Sequence, residues 1–437
     1  MYWAPAWSLL TFDADANLIP EYVMRVSARR RAVFATALLL LGACGSAVPR
    51  SQPAPRDSYL VLISFDGFRS DYLDRGLTPT LDSLARAGIR ADSLIPLQPA
   101  KTFPNHYSIA TGLYPGEHGI VANTFYDADR GEWYSPANRQ AVEDGTWYRG
   151  EPIWVTAQRQ GLRTGTMFWV GSEADVGGIR PTYWKRFDAT MPSEARVDTV
   201  LSWLRLPATE RPRLLTLYFE FTDDAGSRYG PTSPQANAAI ARADSMVRRL
   251  IDGARALPFA DRINYVIVSD HGMADTRDAV FLAEYADTTG LRFATHGPFA
   301  FLYLDGDTAR MDSMRAVLGS MPHVRVHERD ELPPEWHWND PRMGDLVLIA
   351  EPFWQIGRGR IAVPPHGAHG WPAGTPGMAG IFLASGPAVR PAGRITAFEN
   401  VHIYPFLAGL LGIEPARGIS SDASVLTPYL EGSSAGR

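Results

Sequence analysis

The sequence predicts an α/β fold, a sandwich with a mostly parallel central sheet flanked by helices. Three observations carry this. Near-continuous apolar runs, of which Tyr59–Phe65 (YLVLISF) is the first, read as strands buried on both faces. Segments with helical spacing separate these runs, as in a chain that alternates strand and helix. Acidic residues follow several runs directly, at the strand ends where open α/β sheets bind ligands.

In chain order, Met24 opens MRVSARRRAVFATALLLLGAC, where Arg25, Arg29, Arg30 and Arg31 precede an apolar stretch ending in small residues. That is the pattern of a secretory signal, too short for a stable membrane span. Leu41-Gly42-Ala43-Cys44 resembles a bacterial lipobox, which implies a lipid on Cys44, a membrane tether and a periplasmic or outer-membrane lipoprotein. A non-lipidated signal or an anchor helix is the alternative, and mass spectrometry of the Cys44 peptide separates the two. Residues 1–43 are thus read as an over-long start plus signal, 44–57 as a flexible tether rich in Ser, Pro and Ala, and 58–437 as one large domain. Cys44 is the only cysteine, which excludes an intrachain disulfide.

Within the domain, residues 80–87 read as an amphipathic helix. Strand-like runs at 214–219, 265–268, 299–304 and 379–384 alternate with helical patterns at 234–257 and 313–319. The Pro- and Trp-rich segment 333–376 reads as a long decorated loop or a small subdomain. A net charge of -5 with mixed signs gives no reason to expect a nucleic-acid surface.

Asp66 follows the first run, Asp223 follows LLTLYFEF, and Asp270 follows YVIVS in SDHGM. A lone Asp after a strand is usually a helix cap or turn former. Three of them, one joined directly to His271, make a shared metal site the better reading, and carboxylate with imidazole suits zinc. His366 and His369 in PPHGAHGW are loop histidines that add to the candidate ligands. Thr102, in KTFPNHYSIATGLYPGEHGIVAN, is either a helix N-cap or a nucleophile, and a nucleophilic threonine needs a metal or base to lower its pKa.

These segments together carry a resemblance. DGFR, KTFPNHYSIATGLYPGEHGIVAN, EPIW, SDHGM, HGAHGW followed by FLASGP, and ENVHIYPFLAGLLGI stand in the order found in the nucleotide pyrophosphatase/phosphodiesterase family of the alkaline phosphatase superfamily. The resemblance runs from Tyr59 to the C-terminal region. It implies an alkaline-phosphatase-like α/β sandwich, two zinc ions, and hydrolysis of phosphodiester or phosphoanhydride bonds of nucleotides through a phosphothreonine intermediate. By match to the motifs, Asp66, Thr102, Asp270 and His271 are implied as ligands of the zinc that activates the nucleophile, and Asp223 and His369 as ligands of the other. Asn123 is implied as a donor to a phosphate oxygen. Phe103 and Tyr218 match positions lining a pocket for the nucleoside base, or are packing residues. No cationic residue of the kind monoesterase relatives carry stands among the matched motifs, which favours diesters.

One position departs from the family pattern, in which the loop after Asp223 reads aspartate, three residues, histidine. Here the residue is Ser227, with Tyr218, Glu220, Gly226 and Tyr229-Gly230-Pro231 kept around it. A hydroxyl is a far weaker zinc ligand than imidazole. The expectation is a second zinc held less tightly, or a substitute ligand from Asp224, His366 or water. The alternatives to a phosphodiesterase are a phosphomonoesterase or phospholipid-headgroup hydrolase of the same superfamily, or a weakly active phosphate- or nucleotide-binding lipoprotein.

Overall fold

The computed structural model describes residues 58–359 and 366–432. The signal, Cys44 and the tether lie outside the described residues. Among those described, no helix is long and apolar enough to cross a membrane.

The main sheet has eight strands in the order Gly393–Ile395, Ile89–Ala91, Phe382–Ser385, Ile263–Val268, Tyr59–Phe65, Leu214–Phe219, Thr164–Met167 and Tyr183–Trp184. The last five run parallel. Phe382–Ser385 runs antiparallel to both of its neighbours. All seven residues of Tyr59–Phe65 are buried, as its unbroken apolar run requires. Its side chains alternate between two cores. Leu60 and Leu62 pack with the helices Thr102–Thr111, Ile153–Arg159 and Ile403–Leu411, whereas Val61, Ile63 and Phe65 pack with Ser193–Leu204 and Pro234–Arg255. The result is a helix–sheet–helix sandwich of the expected class.

Local chemistry explains the longest helix. Ser233 caps it by accepting from the Ala236 N–H at 3.1 Å, Pro234 occupies its first turn, and Ile240, Ala243, Val247 and Leu250 form its buried stripe.

Two expectations change. The run at 299–304 does not join the main sheet. Phe299–Tyr303 lies in a separate antiparallel sheet ordered Arg292–Thr295, Phe299–Tyr303, Leu346–Ala350, Val324–Glu328, covered by the helix Thr308–Leu318. An apolar run reports burial and says nothing of which sheet buries it. The segment 333–376, read as loop or subdomain, supplies Leu346–Ala350, a central strand of that second sheet. Pro341 and Gly344 just before it masked the strand in the sequence.

Candidate functional site

The register of the three central strands brings their carboxyl ends level, with Ser64 beside both Tyr218 and Val268. Asp66 follows its strand, Asp223 sits in the first turn of the helix Phe221–Tyr229, and Asp270 and His271 follow Ile263–Val268. Gly67 adopts a left-handed φ of 64°, and a Cβ there would stand 2.9 Å from Asp223 Oδ1, so only glycine fits between the two acids. Its N–H donates to Asp270 Oδ1 at 3.2 Å.

Six side chains converge in two adjacent groups, Asp66 with His106 and Asp270, and Asp223 with His271 and His369. His271 joins them. Its Nε2 lies 2.9 Å from Asp270 Oδ2 and 3.4 Å from Asp66 Oδ1, while its ring stacks on His369 at 3.6 Å between centroids. His369 Nε2 lies 3.4 Å from Asp223 Oδ1.

The arrangement fits a divalent cation. His271 Nδ1 donates to the Gly272 carbonyl at 2.9 Å and His369 Nδ1 to the Ala100 carbonyl at 2.8 Å. Each ring therefore turns an Nε2 lone pair into the cluster, the backbone-anchored tautomer that metal-binding histidines adopt. Asp66 Oδ1, Asp223 Oδ1 and Asp270 Oδ2 are buried without a hydrogen-bond partner. Acceptors facing acceptors in a dry site are costly unless a cation lies between them.

The electrostatics agree. Burial, with Asp270 and Asp223 adding to it, raises the Asp66 carboxyl well above the usual range. Burial likewise pushes Asp223 up to about 6, against the opposing pull of His271. For Asp270 burial works in the same sense, but the His271 and His106 rings outweigh it and hold the group well below its ordinary value. Burial, then His271 and Lys101, depresses His369.

Thr102 is the first residue of its helix, and Lys101 is the N-cap, so the capping alternative for Thr102 is not realised. Its half-buried Oγ1 lies 3.4 Å from His271 Nε2, at the rim of the cluster. Asn123 Oδ1 accepts the Phe103 N–H at 2.9 Å, which orients the amide and leaves Nδ2 without a partner among the described residues. Phe103 and Tyr218 line one cavity of about 130 Å³ with Tyr148, Phe168, Trp169 and Phe187. The Tyr218 hydroxyl also donates to Asp66 Oδ2 at 2.6 Å, tying the cavity wall to the cluster.

Ser227 lies one helical turn beyond Asp223, and its hydroxyl donates to Asp223 Oδ2 at 3.4 Å. Neither proposed protein substitute joins the cluster. His366 is exposed and Asp224 is exposed beside Glu220 and Arg228. Sequence reasoning missed two residues. Lys101 is a cation next to Thr102, facing Asp223, Asp66 and Asp270, with burial lowering its ammonium to about 8. The expectation that no cation stands beside Thr102, which favours diesters, is thereby corrected: Lys101 opens KTFPNHYSIATGLYPGEHGIVAN, but only folding turns it into the cleft. His106, also in that motif, is the second.

The sequence profile of the type I phosphodiesterase / nucleotide pyrophosphatase family matches residues 60–372. Rat ectonucleotide pyrophosphatase/phosphodiesterase family member 1 is 34% identical over 385 residues, which are 84% of this chain and 42% of the rat protein. An uncharacterized pyrophosphatase/phosphodiesterase of Schizosaccharomyces pombe is 33% identical over 374 residues, 82% of this chain and 77% of that protein. Against the rat protein and its mouse and human counterparts, then, the chain spans less than half of the relative's length. Among solved structures, an inactive variant of murine ectonucleotide pyrophosphatase/phosphodiesterase 5 in complex with AMP superimposes with a TM-score of 0.81 at 28% identity, covering 86% of this chain and 100% of that one. The human counterpart gives 0.80 at 29% identity, covering 85% and 100%.

Proposed function

The chain belongs to the type I phosphodiesterase / nucleotide pyrophosphatase family, and on that premise we propose that it hydrolyses phosphodiester or phosphoanhydride bonds of nucleotides, with Thr102 as nucleophile and zinc as cofactor. What supports this most is the position of Thr102 Oγ1, at the rim of a buried cluster of unpartnered acceptors and one residue from the aromatic wall at Phe103.

Zinc held by Asp66, Asp270, His271 and Thr102, and a second zinc held by Asp223 and His369, would supply Lewis-acid activation of the hydroxyl and of the phosphoryl group. Phe103 and Tyr218 hold the nucleoside base in the aromatic cavity and so place the phosphate over the helix start. Thr102 Oγ1 attacks phosphorus in line; the Oγ1–P bond forms as the bond to the leaving oxygen breaks. Asn123 Nδ2 donates to a non-bridging oxygen that gains charge, a contribution on the order of 3 kcal/mol in other hydrolases. Water then cleaves the phosphothreonine, restores the hydroxyl and releases the nucleotide product. A nucleotide complex of a structural relative, murine family member 5 with AMP, is consistent with such a substrate.

The deciding assay compares a p-nitrophenyl nucleoside phosphodiester with p-nitrophenyl phosphate, which share a leaving group. The diester is expected to turn over faster; a faster monoester would assign the site to phosphomonoesters, and no turnover of either would leave a binding protein.

Ser227 sharpens the second site. Among the described residues, Asp223, His369 and the adjoining His271 offer donors there, and the serine hydroxyl is occupied with Asp223. Ser227→His is expected to tighten the second metal by at least the ~10–100-fold that neighbouring-shell changes produce, and to raise kcat most for leaving groups of high pKa. Zinc retained after dialysis and kcat are the readouts. If both stay unchanged, the site works without a ligand at this position.

A further inference from the structure

His106 has no role in the scheme above, yet no side chain is more centrally placed. It is fully buried, one turn into the helix that starts at Thr102. Its Nδ1 lies 2.9 Å from the Thr102 carbonyl oxygen and 3.3 Å from Asp270 Oδ2. The carbonyl is an acceptor, so Nδ1 carries a proton and donates to Thr102, with Asp270 Oδ2 within electrostatic reach beside it. Its Nε2 lies 2.8 Å from Ser64 Oγ, which donates to it. With its lone pair engaged by Ser64, the ring has nothing to offer a cation, although it lies within reach of Asp66 and Asp270. The ring also packs edge-on against Trp169 and against Tyr218, each at 5.1 Å between centroids. Trp169 Nε1 in turn donates to the His106 carbonyl at 3.0 Å. One side chain thus touches the backbone of Thr102, a carboxylate of the cluster, the central strand, and two walls of the aromatic cavity.

We propose that His106 is a positioning residue for the reaction: it holds Thr102 and Asp270 in one fixed relation and braces Tyr218 at the boundary between aromatic cavity and metal cluster. The physical need is plain. Asp270 has its Oδ1 set by the Gly67 N–H, and the polarised Nδ1–H of His106, 3.3 Å from Oδ2, favours one orientation of the carboxylate electrostatically. Thr102 stands in the first helical turn, where backbone groups are otherwise free to shift, and a second tie at its carbonyl limits that movement. Displacements well under an ångström at a nucleophile are enough to reduce turnover. The proposal rests on Thr102 being the nucleophile.

Two variants test it at saturating zinc, with a base-bearing p-nitrophenyl nucleotide diester as substrate. His106→Leu fills the space and removes both hydrogen-bonding nitrogens. His106→Asn keeps an N–H donor near the Nδ1 position and loses the Ser64 contact and the edge-on packing of the ring. The Leu variant is expected to lose kcat by about 10–100-fold with KM little changed, the Asn variant to recover most of that loss, and both to load as much zinc as the unaltered protein by elemental analysis. Should the Leu variant fail to fold, as read by its thermal melt, His106→Gln takes its place, because its amide reaches toward Ser64 and not toward Thr102; it is expected to be impaired where Asn is not. Loss of one zinc equivalent in the Asn variant would make His106 a ligand and overturn the proposal. Equal impairment of Asn and Leu, or an effect on KM alone, would overturn it as well. Thr102→Ala run alongside keeps the two ideas apart, since turnover surviving in that variant defeats the nucleophile assignment whatever the His106 variants do.

Discussion

Thr102→Ala is expected to abolish turnover of nucleotide diesters, lowering kcat by at least about 10³-fold, equivalent to roughly 4 kcal/mol of transition-state stabilisation. The fold should barely notice. Thr102 is half-buried at the helix start, it is not the cap, and among the described residues its side chain makes one hydrogen-bonding approach, 3.4 Å to His271 Nε2. Loss of an oxygen there removes no buried hydrogen-bond network, so the melting temperature should change by no more than an ordinary surface substitution allows. Nucleotide should still bind, because Phe103 and Tyr218 remain to line the cavity. The informative result is therefore a split: binding and stability kept, kcat lost. A variant that keeps more than about a tenth of the original kcat, a change of under ~1.4 kcal/mol, would show that water attacks phosphorus directly.

Stripping the metal is expected to be as damaging to activity and more damaging to stability. Three buried carboxylate oxygens lack partners and two imidazole lone pairs point at them. Without a cation these groups either repel or take up protons, and the raised Asp66 and Asp223 carboxyls record that pressure. A ligand present at 1,000 times its dissociation constant stabilises the folded state by about 4 kcal/mol. Chelation should accordingly lower the melting temperature by several degrees and remove turnover. Zinc should restore both, and magnesium neither, since a site with two imidazoles favours zinc over a hard, oxygen-seeking ion. Unchanged melting and turnover after exhaustive chelation, with zinc absent by elemental analysis, would remove the metal from the account.

The two residues that escaped sequence reasoning show where legibility ends. Lys101 and His106 both lie inside KTFPNHYSIATGLYPGEHGIVAN beside Thr102, and neither has a spacing that marks it. A lysine before a threonine reads as a surface residue until the backbone of Gly370 is found packed against its chain. A histidine four residues into a helix reads as packing until its Nδ1 proves to donate to the Thr102 carbonyl, close beside Asp270. The run at 299–304 is a strand as expected, but the sheet it joins was not legible, for a related reason. Its apolar content was right, but its partner, Leu346–Ala350, lies in a stretch whose prolines and tryptophans suggested loop.

The amino-acid sequence by itself determined the class of fold, through unbroken apolar runs and helical stripes, because the period of burial is written residue by residue. It also determined the chemical kinds available at the strand ends, acids, a histidine beside one of them, and a threonine nearby. Only the tertiary structure decided how they meet: that His271 stands between two groups of candidate ligands, that Ser227 turns its hydroxyl to Asp223, that Asp224 and His366 stay outside, and that the buried His106 imidazole touches the Thr102 backbone and the Tyr218 ring. Those facts depend on strand register and on side-chain directions across long separations in the chain, and a local pattern carries neither.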